Sequence, residues 1–160
     1  MLIRKTTLAD VNSAAAIYDS ARRFMRESGN LNQWSAEYPN AQSILEDIEG
    51  GGSYVCEDGG EVVAIFYFAA HNDPTYDKIY EGAWKRDGKY AVIHRIAVKH
   101  HGRGIADFIY AHCFEAHPNL RIDTHRDNAP MQRSLKKNGF EYCGIIYLAN
   151  GDERLAFQKV

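Results

Sequence analysis

The sequence predicts one mixed α/β domain over residues 1–160. Three observations support this. A length of 160 residues lies within the ~100–200 residues typical of one domain. A composition of 45% hydrophobic and 25% charged residues is ordinary for a globular protein. Strand-like and helix-like segments also alternate without a linker, a repeat or a low-complexity stretch between them. The net charge of −2 removes the overall attraction that nucleic acids and anionic membranes require, so neither is an expected partner.

The N-terminal half predicts a strand, two helices and a hairpin. Apolar residues recur at helical spacing after Thr7 and Asp10, which resemble a capping box. Asp58-Gly59-Gly60 separates two runs rich in strand-forming residues. In order, the predicted elements are a strand at Leu2–Lys5, a helix from Val11 to Met25, a helix at Gln42–Glu49, and strands at Ser53–Glu57 and Glu61–Ala70.

The C-terminal half alternates strands and helices before a final hairpin. Asn128 is a good N-cap with Pro130 in the first turn and Gly139 just past the helix end. Asn150-Gly151 is a strong turn signal. The predicted elements are a strand at Tyr90–Val98, a helix at Arg103–Glu115, a strand at Leu120–Thr124, a helix after Asn128, and strands at Glu141–Leu148 and Glu153–Lys159. Two long polar segments, Glu27–Asn40 and His71–Lys89, are candidates for functional loops.

The cysteines and the apolar runs indicate the cellular compartment of the protein. The chain has three cysteines, an odd number, at long spacings and without a C-x-x-C pair. This argues against a disulfide framework or a zinc site, so no metal is expected. The longest apolar run, Val62–Ala70, is much shorter than the ~20 residues that span a bilayer. The N-terminus shows no signal-peptide core. We therefore expect a soluble, cytoplasmic protein.

The segment Ala91–Ala106 carries the strongest chemical signal. A strand, a turn with Gly102 and Gly104, and a helix follow one another. Free N–H groups at a helix N-terminus bind anions, and glycines let a ligand approach the backbone closely. Nearby positive charge favours a phosphate or pyrophosphate; its sources are Lys99, Arg103, His100 and His101. A Walker A loop would need Gly-Lys-Ser/Thr, and a Rossmann loop would need Gly or Ala where Asp107 stands. A tight turn without a ligand is the remaining alternative.

Two motifs resemble those of the GCN5-related N-acetyltransferase (GNAT) superfamily. Lys99-His100-His101-Gly102-Arg103-Gly104 resembles its acyl-CoA loop, Q/R-x-x-G-x-G/A, with lysine first. Asn128-Ala-Pro-Met-Gln-Arg-Ser-Leu-Lys-Lys-Asn-Gly-Phe140 resembles its second signature, an Asn opening a helix that ends in Gly-Phe. The element order also resembles that of a small single-domain bacterial-type member. The resemblance implies a mostly antiparallel twisted sheet of about seven strands flanked by about four helices.

The resemblance also implies a reaction and a cofactor site. The activity would be direct transfer of an acetyl group from acetyl-CoA to an amine, without a metal. The fourth and fifth strands would splay apart to admit the pantetheine arm, with N–H groups of the fourth strand polarising the thioester carbonyl. Met131, Ser134 and Leu135 would line the path to the thiol. The residues implied to bind coenzyme A are Ile96, Ala97, Val98, His101, Gly102, Arg103, Gly104, Ile105, Ala106, Asn128, Met131 and Ser134.

The catalytic residues are less well defined. Many members carry a Tyr seven residues after the Asn as general acid, and here Leu135 stands at that position. The attacking amine must be neutral, and a free His titrates near ~6.5, which suits a base. His94 lies on the fourth strand, where some members place a catalytic carboxylate. His125 follows Asp123 by two residues, so the two would share a face and could pair. The alternative for each histidine is a structural hydrogen bond.

The sequence does not identify the amine that accepts the acetyl group. The two polar segments resemble those that cover the acceptor side of the cleft in the family, so Gln33, Trp34, Tyr38 and Trp84 are candidates for the acceptor pocket. The alternative for the tryptophans is a core role. Five acidic loop positions lean towards a cationic acceptor: Glu27, Glu37, Asp73, Asp77 and Glu81. A small-molecule amine and a peptide amine both fit. A CoA-binding sensor or interaction module is the alternative function, and a homodimer is compatible with the resemblance.

Overall fold

The computed structural model describes all 160 residues of the chain. It contains one seven-stranded sheet in the order β1-β2-β3-β4-β5-β7-β6, with four α-helices. Every pair of neighbouring strands is antiparallel except β4 and β5, which are parallel. The mixed, mostly antiparallel fold predicted from the sequence is therefore confirmed. No helix is both long and apolar enough to cross a bilayer.

The element bounds agree with the predicted ones to within about two residues at most ends. The helices are α1 (Val11–Glu27), α2 (Ala41–Glu49), α3 (Ile105–Ala116) and α4 (Ala129–Lys137). The strands are β1 (Leu2–Lys5), β2 (Ser53–Asp58), β3 (Glu61–Ala69), β4 (Ala91–Val98), β5 (Leu120–Thr124), β6 (Glu141–Tyr147) and β7 (Glu153–Lys159). A short 3-10 turn at Pro74–Tyr76 interrupts the long segment between β3 and β4.

Both faces of the sheet are buried. On one face, α3 packs over a core that includes Phe66, Ile93 and Leu135. On the other, α1 and α2 cover a smaller cluster built around Tyr18, Ile44 and Ile65. This double coverage explains why the middle of β3 is apolar at successive positions.

Helix α3 begins at Ile105 instead of Arg103, the predicted start. Gly102 and Gly104 both have φ near +72°, a left-handed conformation that a right-handed helix cannot contain and that L-residues adopt at a cost of ~1–2 kcal/mol. The glycines therefore form the turn before the helix, and Gly104 is its N-cap.

The parallel pair β4 and β5 separates soon after it begins. Pairing is confined to Ala91 with Leu120 and Val92 with Arg121, and the rest of β4 has no partner on that side. A bulge on β4 sharpens the divergence: one extra residue lies on β4 between its pairings with Ile65 and Tyr67. Arg95 in this bulge has φ +50°, and its carbonyl accepts a hydrogen bond from Tyr18 Oη at 2.9 Å. The result is a cleft in the middle of the sheet.

Candidate active site

The turn between β4 and α3 forms one end of the cleft. The backbone N–H groups of residues 102–107 have no hydrogen-bond partner in the protein. They surround a cavity of about 420 Å³. Together with the N-terminus of α3, such groups form an anion site. Basic side chains also line the cavity, namely Arg103, Arg133, His100, His101 and Lys137.

Two of the basic side chains at this end are held by carboxylates. Lys99 pairs with Glu61 on β3 and does not line the cavity, although the sequence suggested that its charge would act there. Lys137 pairs with Asp107 at 2.7 Å. Arg103 and Arg133 form no ion pair, so their charges are available to an anion such as a pyrophosphate.

A narrow middle cavity of about 140 Å³ lies along the free edge of β4. Ile96, Ala97 and Val98 line one side, and Met131 and Ser134 of α4 line the other. His101 also lines it and stacks on Phe24 of α1, with ring centroids 4.0 Å apart. Since the β4 edge has no strand partner here, its peptide groups can pair with an extended ligand, as an added strand would.

A third cavity of about 370 Å³ opens on the far side of the bulge. His94 from β4 and Asp123 from β5 lie on its wall. Four residues line both this cavity and the middle one: Met25, Ile96, Asn128 and Met131. Another four line both the middle cavity and the anion site: Val98, His101, Ala106 and Ser134. The three cavities thus form one continuous groove, and we call the third the acceptor cavity.

The family model for the GNAT acetyltransferases matches residues 14–140 of the chain. The protein belongs to the GNAT acetyltransferase family. A GNAT acetyltransferase from Streptococcus agalactiae is 33% identical, with a TM-score of 0.91 over 99% of this chain and 94% of that one. Membership implies acyl transfer from acetyl-CoA.

Two further solved structures show the same fold at lower identity. The ribosomal-protein-alanine N-acetyltransferase of Brucella melitensis is 21% identical, with a TM-score of 0.69 over 100% of this chain and 99% of that one. The acetyltransferase yncA of Salmonella typhimurium, whose structure contains its cofactor acetyl-CoA, is 16% identical, with a TM-score of 0.66 over 98% of this chain and 91% of that one. No protein among the curated sequences matches the chain significantly.

His94 of this GNAT protein is held by Asp73, from the segment between β3 and β4. Nε2 of His94 lies 2.9 Å from Oδ2 of Asp73, while Thr75 donates to Oδ1 from its backbone N and from Oγ1. Burial alone would raise the pKa of Asp73, but the hydrogen bonds from His94 and Thr75 outweigh it and lower that pKa to about 2.

The ionised state of Asp73 determines the tautomer of His94. An ionised carboxylate only accepts hydrogen bonds, so Nε2 of His94 must carry the proton. The lone pair of the neutral imidazole is then on Nδ1, which has no hydrogen-bond partner in the protein. A histidine with a free Nδ1 on the wall of a cavity can accept a proton from a bound group.

The predicted pairing of Asp123 with His125 is not formed. Asp123 lines the acceptor cavity but accepts a hydrogen bond of 2.6 Å from Tyr76 Oη. Burial and the nearby Asp123 raise the pKa of Tyr76 well above its usual value, so Tyr76 remains a donor. His125 lies outside the cavity and accepts through Nδ1 from the backbone N of Asp127. The reason is that β5 ends at Thr124, so strand alternation does not extend to His125.

Three of the four residues predicted for the acceptor pocket line the acceptor cavity: Gln33, Trp34 and Tyr38. Gln33 has a structural role there as well, because its Oε1 accepts from Asn30 at 2.8 Å and from Asn128 at 2.9 Å. Trp84 does not line it. Its Nε1 donates to the Tyr76 carbonyl and its ring packs on Arg121. Trp84 therefore fixes the long segment before β4 to the core, as its alternative interpretation stated.

Leu135 is fully buried in the main core and lines neither the middle nor the acceptor cavity. The expectation that it lines the thiol path is wrong, because the side chains of α4 facing the groove are those of Met131 and Ser134. Tyr110 of α3 approaches the same place, with Oη 3.4 Å from Met131 Sδ. The residues implied to bind coenzyme A all line the middle cavity or the anion site. They are Ile96, Ala97, Val98, His101, Gly102, Arg103, Gly104, Ile105, Ala106, Asn128, Met131 and Ser134.

Several contributions to the groove were not predicted. Asp73 was named only as an acidic loop position, and its pairing with His94 was missed. Its local signal was that Asp followed by Pro is typical of a helix N-cap, and it caps the 3-10 turn. Arg133 and Lys137 had another, because residues four apart on α4 share a helix face. Arg154, which lines the acceptor cavity, had no signal, since only the structure shows that β7 also pairs with β5.

Proposed function

We propose that the protein transfers the acetyl group of acetyl-CoA to the amine of a small acceptor by direct attack in a ternary complex. The continuous groove carries this proposal. It leads from a phosphate-type anion site, along a free strand edge, to a histidine whose Nδ1 is unpartnered. A molecule with a pyrophosphate, an extended arm and a reactive end fits this order of features.

In this proposal each part of the groove has one task. Acetyl-CoA supplies an activated acetyl thioester, whose thiolate is a tolerable leaving group at a pKa of ~8.5. The N–H groups of residues 102–107 hold the pyrophosphate. N–H groups on the free edge of β4 polarise the acetyl carbonyl. His94 accepts the proton of the attacking amine at Nδ1, while Asp73 fixes its ring and tautomer.

The cysteines support direct transfer over an acetyl-enzyme. Cys56, Cys113 and Cys143 are all buried, and none lines the middle or the acceptor cavity. Burial raises the pKa of all three thiols, that of Cys113 to about 12. Since the thiolate is the nucleophile, these cysteines are poor acyl acceptors.

One observation favours the alternative, a CoA-binding module without turnover. Leu135 replaces the family's tyrosine and is buried in the core, so α4 offers no hydroxyl group at that position to protonate the leaving thiolate. We expect that water protonates the leaving thiolate instead.

The test combines acetyl-CoA binding with turnover of a mixed amine panel. We expect acetyl-CoA and CoA to bind while ATP and NAD do not, with release of CoA when an amine is present and sequential steady-state kinetics. Replacement of His94 by Ala should lower kcat about 10²- to 10⁴-fold without weakening CoA binding. Binding without turnover of any amine would leave the CoA-binding module, and an acetylated cysteine would contradict direct transfer.

A further inference from the structure

Arg154 is a buried cation on the wall of the acceptor cavity. It is 5% exposed and is the second residue of β7. Its hydrogen bonds go only to backbone carbonyls, from Nη1 to that of Glu153 at 2.8 Å and from Nη2 to that of Gln33 at 3.1 Å. It forms no ion pair with any carboxylate. A guanidinium has five N–H donors, so most of its hydrogen-bonding capacity is unused.

The other arginine that lines this cavity, Arg95, has a carboxylate partner. Arg95 contacts both carboxylate oxygens of Asp47 from Nη2, each at 2.9 Å. A buried charge without a partner is costly, and proteins normally pair such groups. Arg154 therefore lacks the counter-ion that a ligand could supply, and the guanidinium fork matches a carboxylate in two-point geometry.

Asp123 of β5 is a neighbour of Arg154 in the sheet but forms no ion pair with it. Asp123 on β5 pairs with Ala156 of β7, and Arg154, two residues before Ala156, lies on the same face of the sheet. Asp123 nevertheless accepts a hydrogen bond from Tyr76 and forms no hydrogen bond or ion pair with Arg154, whose own bonds go to the carbonyls of Glu153 and Gln33. Of the five acidic loop positions that leaned towards a cationic acceptor, only Asp73 lines the cavity, and it pairs with His94.

The acceptor cavity thus carries charges of both signs. Asp73, Asp123 and His94 line its wall, and so does Arg154, which forms no ion pair and bonds only to backbone carbonyls. An ammonium group is attracted to the carboxylates, and His94 beside Asp73 can remove its proton. The remaining wall is largely apolar, formed by Met25, Trp34, Ile93, Ile122 and Leu148, and suits a hydrocarbon side chain.

We propose that the acceptor is an aminocarboxylate, such as a free amino acid, whose carboxylate is bound by Arg154 while its amine faces His94. This inference rests on the proposed N-acetyltransferase function. It disfavours polyamines, which lack a carboxylate, and lysines inside a peptide, whose carboxyl group forms a peptide bond.

The test compares acceptors that differ only in the carboxylate. The panel contains the twenty protein amino acids, β-alanine and γ-aminobutyrate, each with its amide and its decarboxylated amine, plus spermidine. We expect kcat/KM for the best aminocarboxylate to exceed that of its amide about 10- to 100-fold, the value of one charge-assisted contact. The comparison is stringent, because the amide's amine has the lower pKa and would react faster without carboxylate recognition.

A variant pair separates recognition from folding. Arg154→Gln should lower kcat/KM for the best aminocarboxylate about 10- to 100-fold and leave that of its decarboxylated amine within twofold, because only the first uses the guanidinium. A merely structural role would lower both equally. Arg126→Gln is the control, since Arg126 is exposed and pairs with Glu153 outside the cavity. If Arg154→Gln does not fold, Arg154→Lys keeps the charge without the fork and should still reduce the preference.

Calorimetry with CoA present distinguishes failure of this inference from failure of the proposed function. Carboxylate-dependent binding of an amino acid without acetylation would uphold carboxylate recognition by Arg154 and overturn the proposed function. Acetylation of amides, amines or spermidine as fast as, or faster than, every aminocarboxylate would overturn the inference alone. Neither binding nor acetylation of any panel member would overturn both.

Discussion

Nε2 of His94 lies 2.9 Å from Oδ2 of Asp73, which reaches the cleft from the long segment between β3 and β4. The pair joins a strand at the floor of the groove to a loop that forms its wall. Tyr67 of β3 stacks on the same imidazole, with ring centroids 6.0 Å apart. The ring is therefore fixed from two sides, and only its Nδ1 is left for chemistry.

Replacing Asp73 by Asn should lower kcat about 10-fold or more, because His94 loses the carboxylate that fixes its tautomer. The amide can donate to Nε2 as well as accept, so the tautomer with a free Nδ1 loses its advantage. The KM for acetyl-CoA should not change, since Asp73 lines neither the middle cavity nor the anion site. Steady-state kinetics check this, with Asp77→Asn as the control from the same segment. Wild-type kcat in Asp73→Asn would show that the pair has no catalytic role.

Asp10 should contribute to stability in a pH-dependent way. Hydrogen bonds from Arg4 lower the pKa of Asp10 to about 2, from 3.8 in the unfolded chain. The folded state thus binds fewer protons, so the contribution is complete above about pH 4 and is lost as the pH falls towards about 2. Asp10→Asn should cost about 2 kcal/mol of unfolding free energy at pH 7, and little at pH 2. Denaturant unfolding across this range measures the difference. The same cost at both pH values would contradict it, and the exposed Asp58→Asn should cost little at either.

Gly104 should be required for CoA binding because it lacks a side chain, and not only because it can adopt a positive φ. A Cβ at Gly104 would meet no protein atom within 4 Å, and the same is true of Gly151 in the β6–β7 turn, which also has positive φ. Replacement of either by Ala should therefore cost a similar ~1–2 kcal/mol of stability. Only Gly104→Ala should weaken CoA binding, by about tenfold or more, because the new methyl group lies where the pyrophosphate approaches. Calorimetry with CoA on both variants decides; equal affinities would mean that the pyrophosphate lies elsewhere.

Leu135→Tyr should not create a better enzyme. The side chain of Leu135 is fully buried, and the added ring would have to fit into a packed core, at a typical cost of 1–3 kcal/mol. We expect a lower melting temperature and no gain in kcat. Thermal unfolding and steady-state kinetics test both statements. A stable variant with higher kcat would show that α4 can present a hydroxyl group to the thiolate after all.

The local parts of this protein could be predicted because short-range chemistry decides them. The turn at Gly102 and Gly104, the N-cap at Asn128, whose Oδ1 accepts from Met131 N at 3.1 Å, and the Asn150-Gly151 turn each depend on a few consecutive residues. The end of the groove at the β4–α3 turn is built from one such stretch and from α4. Its lining residues could therefore be predicted from their order in the sequence.

The acceptor end was harder because it is assembled from distant segments. The pairing of Asp123 with His125 was wrong because it assumed that strand alternation continues past Thr124. The prediction that Trp84 lines the pocket is wrong, because the composition of a long loop does not determine its path over the core.

The sequence by itself determined the order of strands and helices, the CoA motifs and the candidacy of His94. Only the tertiary structure brought Asp73 to His94 and left Arg154 without a carboxylate partner in the acceptor cavity. The physical reason is that backbone conformation responds to neighbouring residues, whereas the charge around a side chain depends on every segment that the fold places against it.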